Sequence, residues 1–190
     1  MLFNRYDLLK RAKSFSAVAM DSMEVLHESL TSETWFDIFL SHKYEDREEV
    51  KGLAEQLIKE FGYKVYIDWI VDPSLDRQNV NKKTAEVLRN RLKHSKCLWY
   101  VTSSVSADSK WMPWEAGFAD GHTGNVAICP LAEGQSSDFK GLEYLSLYPY
   151  VDIAHDSTTQ KNSLWINESQ GVYCSFNGWL NEGKKPSLHK

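Results

Sequence analysis

Cysteine is scarce, with three in 190 residues: Cys97, Cys129 and Cys174. They are far apart, they form no C-x-x-C, and no histidine stands at ligand spacing. Neither a disulfide framework nor a zinc site is expected, and no metal is assigned. Cys97 and Cys129 lie in apolar runs and read as small buried thiols in a reducing compartment. Long apolar runs are also missing. Nothing approaches the roughly 18 consecutive apolar residues of a membrane span, and the N-terminus lacks the apolar stretch of a secretory signal. A soluble cytoplasmic protein, with no membrane partner, is the expectation. Basic excess is missing too: the formal net charge is −4, which speaks against a nucleic-acid partner. A glycine-rich phosphate loop and a G-x-G-x-x-G are absent, so a redox dinucleotide fold is disfavoured.

What the sequence has in excess is aromatic residues, at 13% with seven tryptophans. Two of these fall in Ser109-Lys110-Trp111-Met112-Pro113-Trp114-Glu115. Glu115 is the only acid between Asp108 and Asp120. A lone carboxylate among tryptophans is either desolvated for a purpose or turned out to solvent.

The rest of the chain reads as strands alternating with helices. Leu8, Leu9, Ala12, Phe15, Ala19, Met23 and Leu26 recur at helical steps and predict an N-terminal packing helix. The short run Trp35-Phe36-Asp37-Ile38-Phe39-Leu40-Ser41 predicts a buried strand. A helix through Val50, Leu53, Ala54, Leu57, Ile58 and Phe61 follows, stopped by Gly62. Residues 63–68 predict a second strand and residues 69–80 a long loop of the kind that carries function. Asn81 caps a third predicted helix, residues 97–102 form a third strand, and residues 103–110 a polar loop. A short helix then carries Glu115, with Pro113 in its first turn. Residues 126–131 and 148–153 predict two more strands, and residues 164–173 a small terminal hairpin before a last short helix.

This alternation predicts an α/β fold: an open, mostly parallel five-stranded sheet with helices on both faces, plus the N-terminal helix and the C-terminal hairpin. The chain divides into an extension over residues 1–34, a core over 35–153, and a C-terminal extension over 154–190. In such sheets ligands bind beyond the carboxyl ends of the strands. The loops there start at Ser41, Trp69 and Ser103, so His42, Trp69 and Glu115 are expected at one edge.

With those motifs in place the chain resembles the Toll/interleukin-1 receptor (TIR) domains, over roughly residues 35–150. Phe36-Asp37-Ile38-Phe39-Leu40-Ser41-His42 is similar to the family's opening strand, and the loop after the second strand to its BB loop. Ser109-Lys110-Trp111…Trp114-Glu115 resembles the segment that carries the glutamate of the enzymatic members, bacterial stand-alone TIR proteins above all. The BB loop departs from the family habit of a Pro-Gly step, having Asp72-Pro73-Ser74 instead. The resemblance implies an enzyme that cleaves NAD+ as a substrate, not a cofactor, at the nicotinamide–ribose bond. Linear, cyclic and conjugated ADP-ribose products stay open. It further implies self-association through TIR surfaces, a separate effector that responds to the nucleotide product, and a place in bacterial anti-phage immune signalling.

The chemistry is consistent with one carboxylate. Nicotinamide departs neutral from a cationic precursor, so no acid is needed to protonate it, unlike the two-carboxylate glycosidases. A single carboxylate can bind ribose hydroxyls and stabilise an oxocarbenium-like charge, and Glu115 is assigned this catalytic role. Ser41, His42 and Lys43 stand near a helix start where a diphosphate or ribose would lie. Trp69, Trp111 and Trp114 either stack on the dinucleotide or pack the core. Asp68 caps its loop or contacts substrate. Arg77 either binds phosphate or pairs with Asp72 or Asp76. The competing readings are a non-catalytic self-association or adaptor module and a nucleoside-processing transferase of similar topology.

Overall fold

The computed structural model describes residues 1–14, 31, 33–75, 81–103, 109–134, 143–157 and 159–189. In chain order the elements are β1 (Phe3–Asn4), α1 (Arg5–Ser14), β2 (Phe36–Ser41), a 3₁₀ turn (Tyr44–Asp46), α2 (Arg47–Phe61), β3 (Val65–Tyr66) and α3 (Asp68–Val71). Then come α4 (Lys82–Lys93), β4 (Ser95–Thr102), α5 (Met112–Thr123), β5 (Val126–Ala132) and a second 3₁₀ turn (Glu143–Leu147). The chain ends with β6 (Tyr150–Asp156), β7 (Lys161–Ser169), β8 (Val172–Ser175), α6 (Phe176–Glu182) and β9 (Ser187–Leu188).

One sheet carries the molecule, in the order β3-β2-β4-β5-β6-β7-β8-β9, with β1 added against β5. The first five of these strands pair in parallel. Their order is the doubly wound one, in which the winding reverses beside β2 and leaves a crevice at the carboxyl ends of β2 and β4. The five-stranded expectation therefore undercounts: nine strands join the sheet among the described residues. The terminal hairpin is β7 and β8, but it does not stand apart. β7 pairs antiparallel along the whole of β6 and continues the sheet.

Helices cover both faces. Ile38, Leu40, Trp99 and Cys129 face α1, α2 and α6, through Leu8, Leu53, Leu57 and Phe176. Phe39, Leu98, Tyr100 and Ile128 face α4 and α5, through Leu88, Met112 and Ala116. Alternate residues of each strand serve opposite faces, as a pleated sheet buried on both sides requires. Cys97, Cys129 and Cys174 are free and buried, and burial raises each thiol pKa.

Several local expectations are corrected. Trp35 does not join β2; it lies exposed with its ring edge-on to His94, 5.2 Å between centroids. The second strand is only Val65–Tyr66, and the long loop after it begins with the helical turn α3. The pair Gly121 and Gly124 reads from the sequence as the end of the helix that carries Glu115; Gly121 lies inside α5, and Gly124 alone caps it with φ 66. Of the N-terminal helix only Arg5–Ser14 is described; Phe15, Ala19, Met23 and Leu26 lie outside the described residues. That segment packs on the domain against α2. β1 sits between β5 and β6: Phe3 pairs with Leu131, and the Ile153 amide donates to the Met1 carbonyl at 3.0 Å.

Candidate active site

The site is built from what each strand carries at its carboxyl end. Ser41 ends β2 and faces the α5 side of the sheet. Pro113, with no amide hydrogen to lose, stands in the first turn of α5, and the Ser109 hydroxyl accepts from the Met112 amide at 3.2 Å in place of an end cap. One turn further, Glu115 points down onto the sheet, where its side chain is 0% exposed. There the Ser41 hydroxyl donates to Glu115 Oε2 at 2.6 Å. The positive end of the α5 dipole favours the carboxylate in this first turn. Of the two possibilities for a carboxylate beside these tryptophans, desolvation is the one realised.

Tyr100 lies directly across from Ser41 in the β2–β4 register and is buried on the same face. Its hydroxyl is 3.3 Å from that of Tyr144 in the 3₁₀ turn after β5. Burial, then the Tyr144 hydrogen bond and the Glu115 charge, push the Tyr100 hydroxyl well above the ordinary phenol range. Sequence reasoning missed this residue. The sign was available: Tyr100 alternates in step with Leu98 on the face that Ser41 occupies.

Around this centre the other residues singled out from the sequence fall into separate groups. His42 is buried and donates from Nδ1 to the Leu40 carbonyl at 2.9 Å, while its Nε2 accepts from the Trp69 indole at 3.2 Å. Asp68 Oδ1 accepts from the Trp69 amide at 2.8 Å and lies 3.7 Å from His42 Nε2. His42, Asp68 and Trp69 thus form one cluster joining the loop after β2 to the start of α3. Lys43 reaches toward Glu45, 3.8 Å away.

Trp111 is buried in the core under α5, with its ring edge-on to Trp114 at 5.7 Å. Trp114 is half-buried, stacks on Phe118 at 6.0 Å, and has the Arg89 guanidinium 5.8 Å from its ring centroid. The tryptophan pair therefore fixes the first turn of α5 to the sheet and to α4, and so holds Glu115 in place. Arg77 lies outside the described residues. Asp72 pairs with Arg91, at 3.0 Å to each carboxylate oxygen, and also accepts from the Tyr66 hydroxyl at 2.9 Å. Arg91, in the last turn of α4, is a buried anchor for the chain after β3. Among the described residues no cluster of His, Cys, Asp and Glu side chains could hold a metal ion, and no helix is long and apolar enough to cross a membrane.

Comparison with known proteins identifies the family. The model of the TIR domain matches residues 38–164. A Bacillus cereus (strain MSX-D12) protein named "Probable 3' cyclic ADP-D-ribose synthase ThsB'" is 38% identical over 185 residues, spanning 96% of this chain and 95% of the relative. A Cytobacillus dafuensis protein named "Putative cyclic ADP-D-ribose synthase TIR2" is 28% identical over 114 residues, 60% of this chain and 26% of the relative. The family match covers both the strand that ends in Ser41 and the helix that buries Glu115, and the chain belongs to the TIR domain family.

Proposed function

We propose that this protein cleaves NAD+ at the nicotinamide–ribose bond and closes the ADP-ribosyl group into a cyclic ADP-ribose. The observation that carries the reading is the fully buried Glu115 carboxylate bonded to Ser41 at the carboxyl edge of the sheet. A relative alike over nearly its whole length, and named for 3' cyclic ADP-ribose synthesis, supports the choice of a cyclic product.

In the reaction the C1′–N bond breaks and its electron pair returns to the pyridine nitrogen, so nicotinamide leaves neutral. The ribosyl carbon becomes oxocarbenium-like, and the Glu115 carboxylate stabilises that charge and binds the ribose hydroxyls. A hydroxyl of the same ADP-ribosyl group then bonds to C1′ and releases its proton to solvent. Water in that place would give linear ADP-ribose. Ser41 orients Glu115, and Tyr100 supplies a second buried hydroxyl beside the carboxylate. His42, Lys43, Asp68, Trp69 and Trp114 contribute the substrate-binding wall, with Arg77 a phosphate contact and Trp111 holding the helix.

Because Glu115 is sealed from solvent, its cover has to move before a ribose can reach it, which ties turnover to an activating event. Self-association through TIR surfaces is that event in this reading. The cyclic nucleotide is then a diffusible cytoplasmic signal for a separate effector in anti-phage defence, a role drawn from the resemblance to bacterial defence TIR proteins.

The test is nicotinamide release and product mass from NAD+, at high protein concentration or with a crowding agent, for wild type and Glu115→Gln. Wild type is expected to form a product of cyclic ADP-ribose mass, and the variant to lose on the order of 10²-fold or more in rate. Equal turnover by the two would overturn the assignment of Glu115. A wild type silent under every condition that assembles it would favour the adaptor module.

A further inference from the structure

Arg5, the first residue of α1, sits at the junction of three loops that leave the carboxyl edge of the sheet. Its Nε and Nη2 both donate to Glu49 Oε1, at 3.1 and 2.6 Å. Nη2 lies 3.9 Å from Asp46 Oδ1, and Nη1 lies 3.6 Å from Glu133 Oε1. Asp46 in turn accepts from the Ser103 hydroxyl, Oγ to Oδ2, at 2.7 Å. Asp46 ends the 3₁₀ turn that follows His42 and Lys43, Ser103 is the first residue after β4 on the way to Glu115, and Glu133 is the first after β5.

An exposed ion pair would contribute little, but this one is not exposed. The Asp46 side chain is 0% accessible and Glu49 nearly so, whereas Glu133 is 81% exposed and its contact is the weak one. Two buried carboxylates this close require a cation, and a guanidinium can serve both at once while a lysine ammonium offers a single point charge. Arg5 is delivered there by β1, which is seated on the carboxyl end of β5 at Leu131 and Ala132. The bland alternative is that Arg5 only docks the N-terminus onto the domain. It does not account for the bond from Asp46 across to Ser103, which carries the contact on to the segment that leads to Glu115.

We propose that Arg5 is a positioning residue of the site: through Glu49 and Asp46 it ties the turn that follows His42 and Lys43 to Ser103 at the end of β4, and so fixes the chain that leaves Ser41, the partner of Glu115. This rests on the NAD+-cleaving reading above. The effect on turnover is indirect, so it should appear in kinetics measured well below the unfolding temperature, where a purely structural role would leave no trace.

The experiment uses the full chain with Arg5→Ala, Arg5→Lys, Ser103→Ala and the Arg5→Ala/Ser103→Ala pair, each verified as folded at the assay temperature. Arg5→Ala is expected to lower kcat/KM for NAD+ about tenfold, and Arg5→Lys to restore only part of it. The double variant should be no worse than its weaker parent by more than about twofold, because residues of one network do not act additively. Hydrogen exchange in peptides covering residues 41–47 and 101–103 should quicken in Arg5→Ala, and this is read without substrate. Folded Arg5→Ala with wild-type kcat, KM and exchange overturns the clamp, and so does strict additivity. If wild type and Glu115→Gln turn over NAD+ equally, the functional reading has failed; exchange then decides the clamp by itself, with wild-type exchange in Arg5→Ala overturning it.

Discussion

Burying a carboxylate costs several kcal/mol unless donors and dipoles replace its water. At Glu115 the replacement includes the Ser41 hydroxyl at 2.6 Å and the amino-terminal end of α5. A hydrogen bond to a charged group contributes about 1.5–3 kcal/mol, and an acceptor left without its donor loses that in full. Ser41→Ala removes the donor without adding bulk. Nicotinamide release is expected to fall about tenfold or more, with a smaller loss than for Glu115→Gln, since the carboxylate itself remains. Rates equal to wild type would mean that Ser41 only fills space. The same residue-scale view shows which readings the sequence allowed. Glu115 stood out because it is a lone acid directly after two tryptophans. The pairing of Asp72 with Arg91 was not legible, because the two stand nineteen positions apart and nothing local marks that the fold will bring them together.

At the scale of elements, α1 and α2 cross where Gly52 has no side chain. A Cβ built there would overlap the carbonyl oxygen and Cα of Leu8. Leu8 is buried in the core beneath, and Arg11 pairs with Glu55 and Glu60 along the same contact. Gly52→Ala should therefore push α1 outward at a cost of about 1–3 kcal/mol despite the better helix propensity of alanine. Gly121→Ala is the matching control. It too lies inside a helix, but nothing stands within 4 Å of its would-be Cβ, so a gain of about 0.5–1 kcal/mol is expected. Denaturant unfolding of the two variants should move in opposite directions; a neutral or stabilising Gly52→Ala would show that the close approach of the helices is not required. The apolar spacing of α2 made that helix legible from sequence, and Asn81 and Gly62 marked helix ends where they stand. β1 and β3 were not legible at their true lengths. Each has two residues, and only the partner strand makes them strands.

The whole molecule shows where local patterning stops. Strand and helix periods gave the doubly wound half of the sheet, because each buried strand there carries its own apolar run. The hairpin of β7 and β8 could be seen as a hairpin, but its docking along β6 depends on seven paired positions from Tyr150 to Asp156 that no single segment reveals. One consequence belongs to the molecule as a whole. Its interior holds several weak acids in their neutral forms. Tyr66 is raised well above its ordinary range by burial first and then by the Asp72 charge, and Tyr100, Cys97 and Cys129 are raised chiefly by burial. A group whose pKa is raised in the folded state keeps its proton there longer than in the unfolded chain. Its contribution to stability is complete below the unfolded value, about 8.5 for cysteine and 10 for tyrosine, and is lost as pH rises from there toward the folded value. Unfolding free energy from denaturant titrations should accordingly be level between about pH 7 and 8 and fall steadily through pH 9 to 11. Lysine ion pairs also weaken at the top of that window, so Tyr66→Phe separates the causes: with no phenol to ionise at the Asp72–Arg91 anchor, its stability should decline less steeply above about pH 10 than that of wild type. Parallel slopes for the two proteins would show that the Tyr66 phenol does not control the alkaline limit.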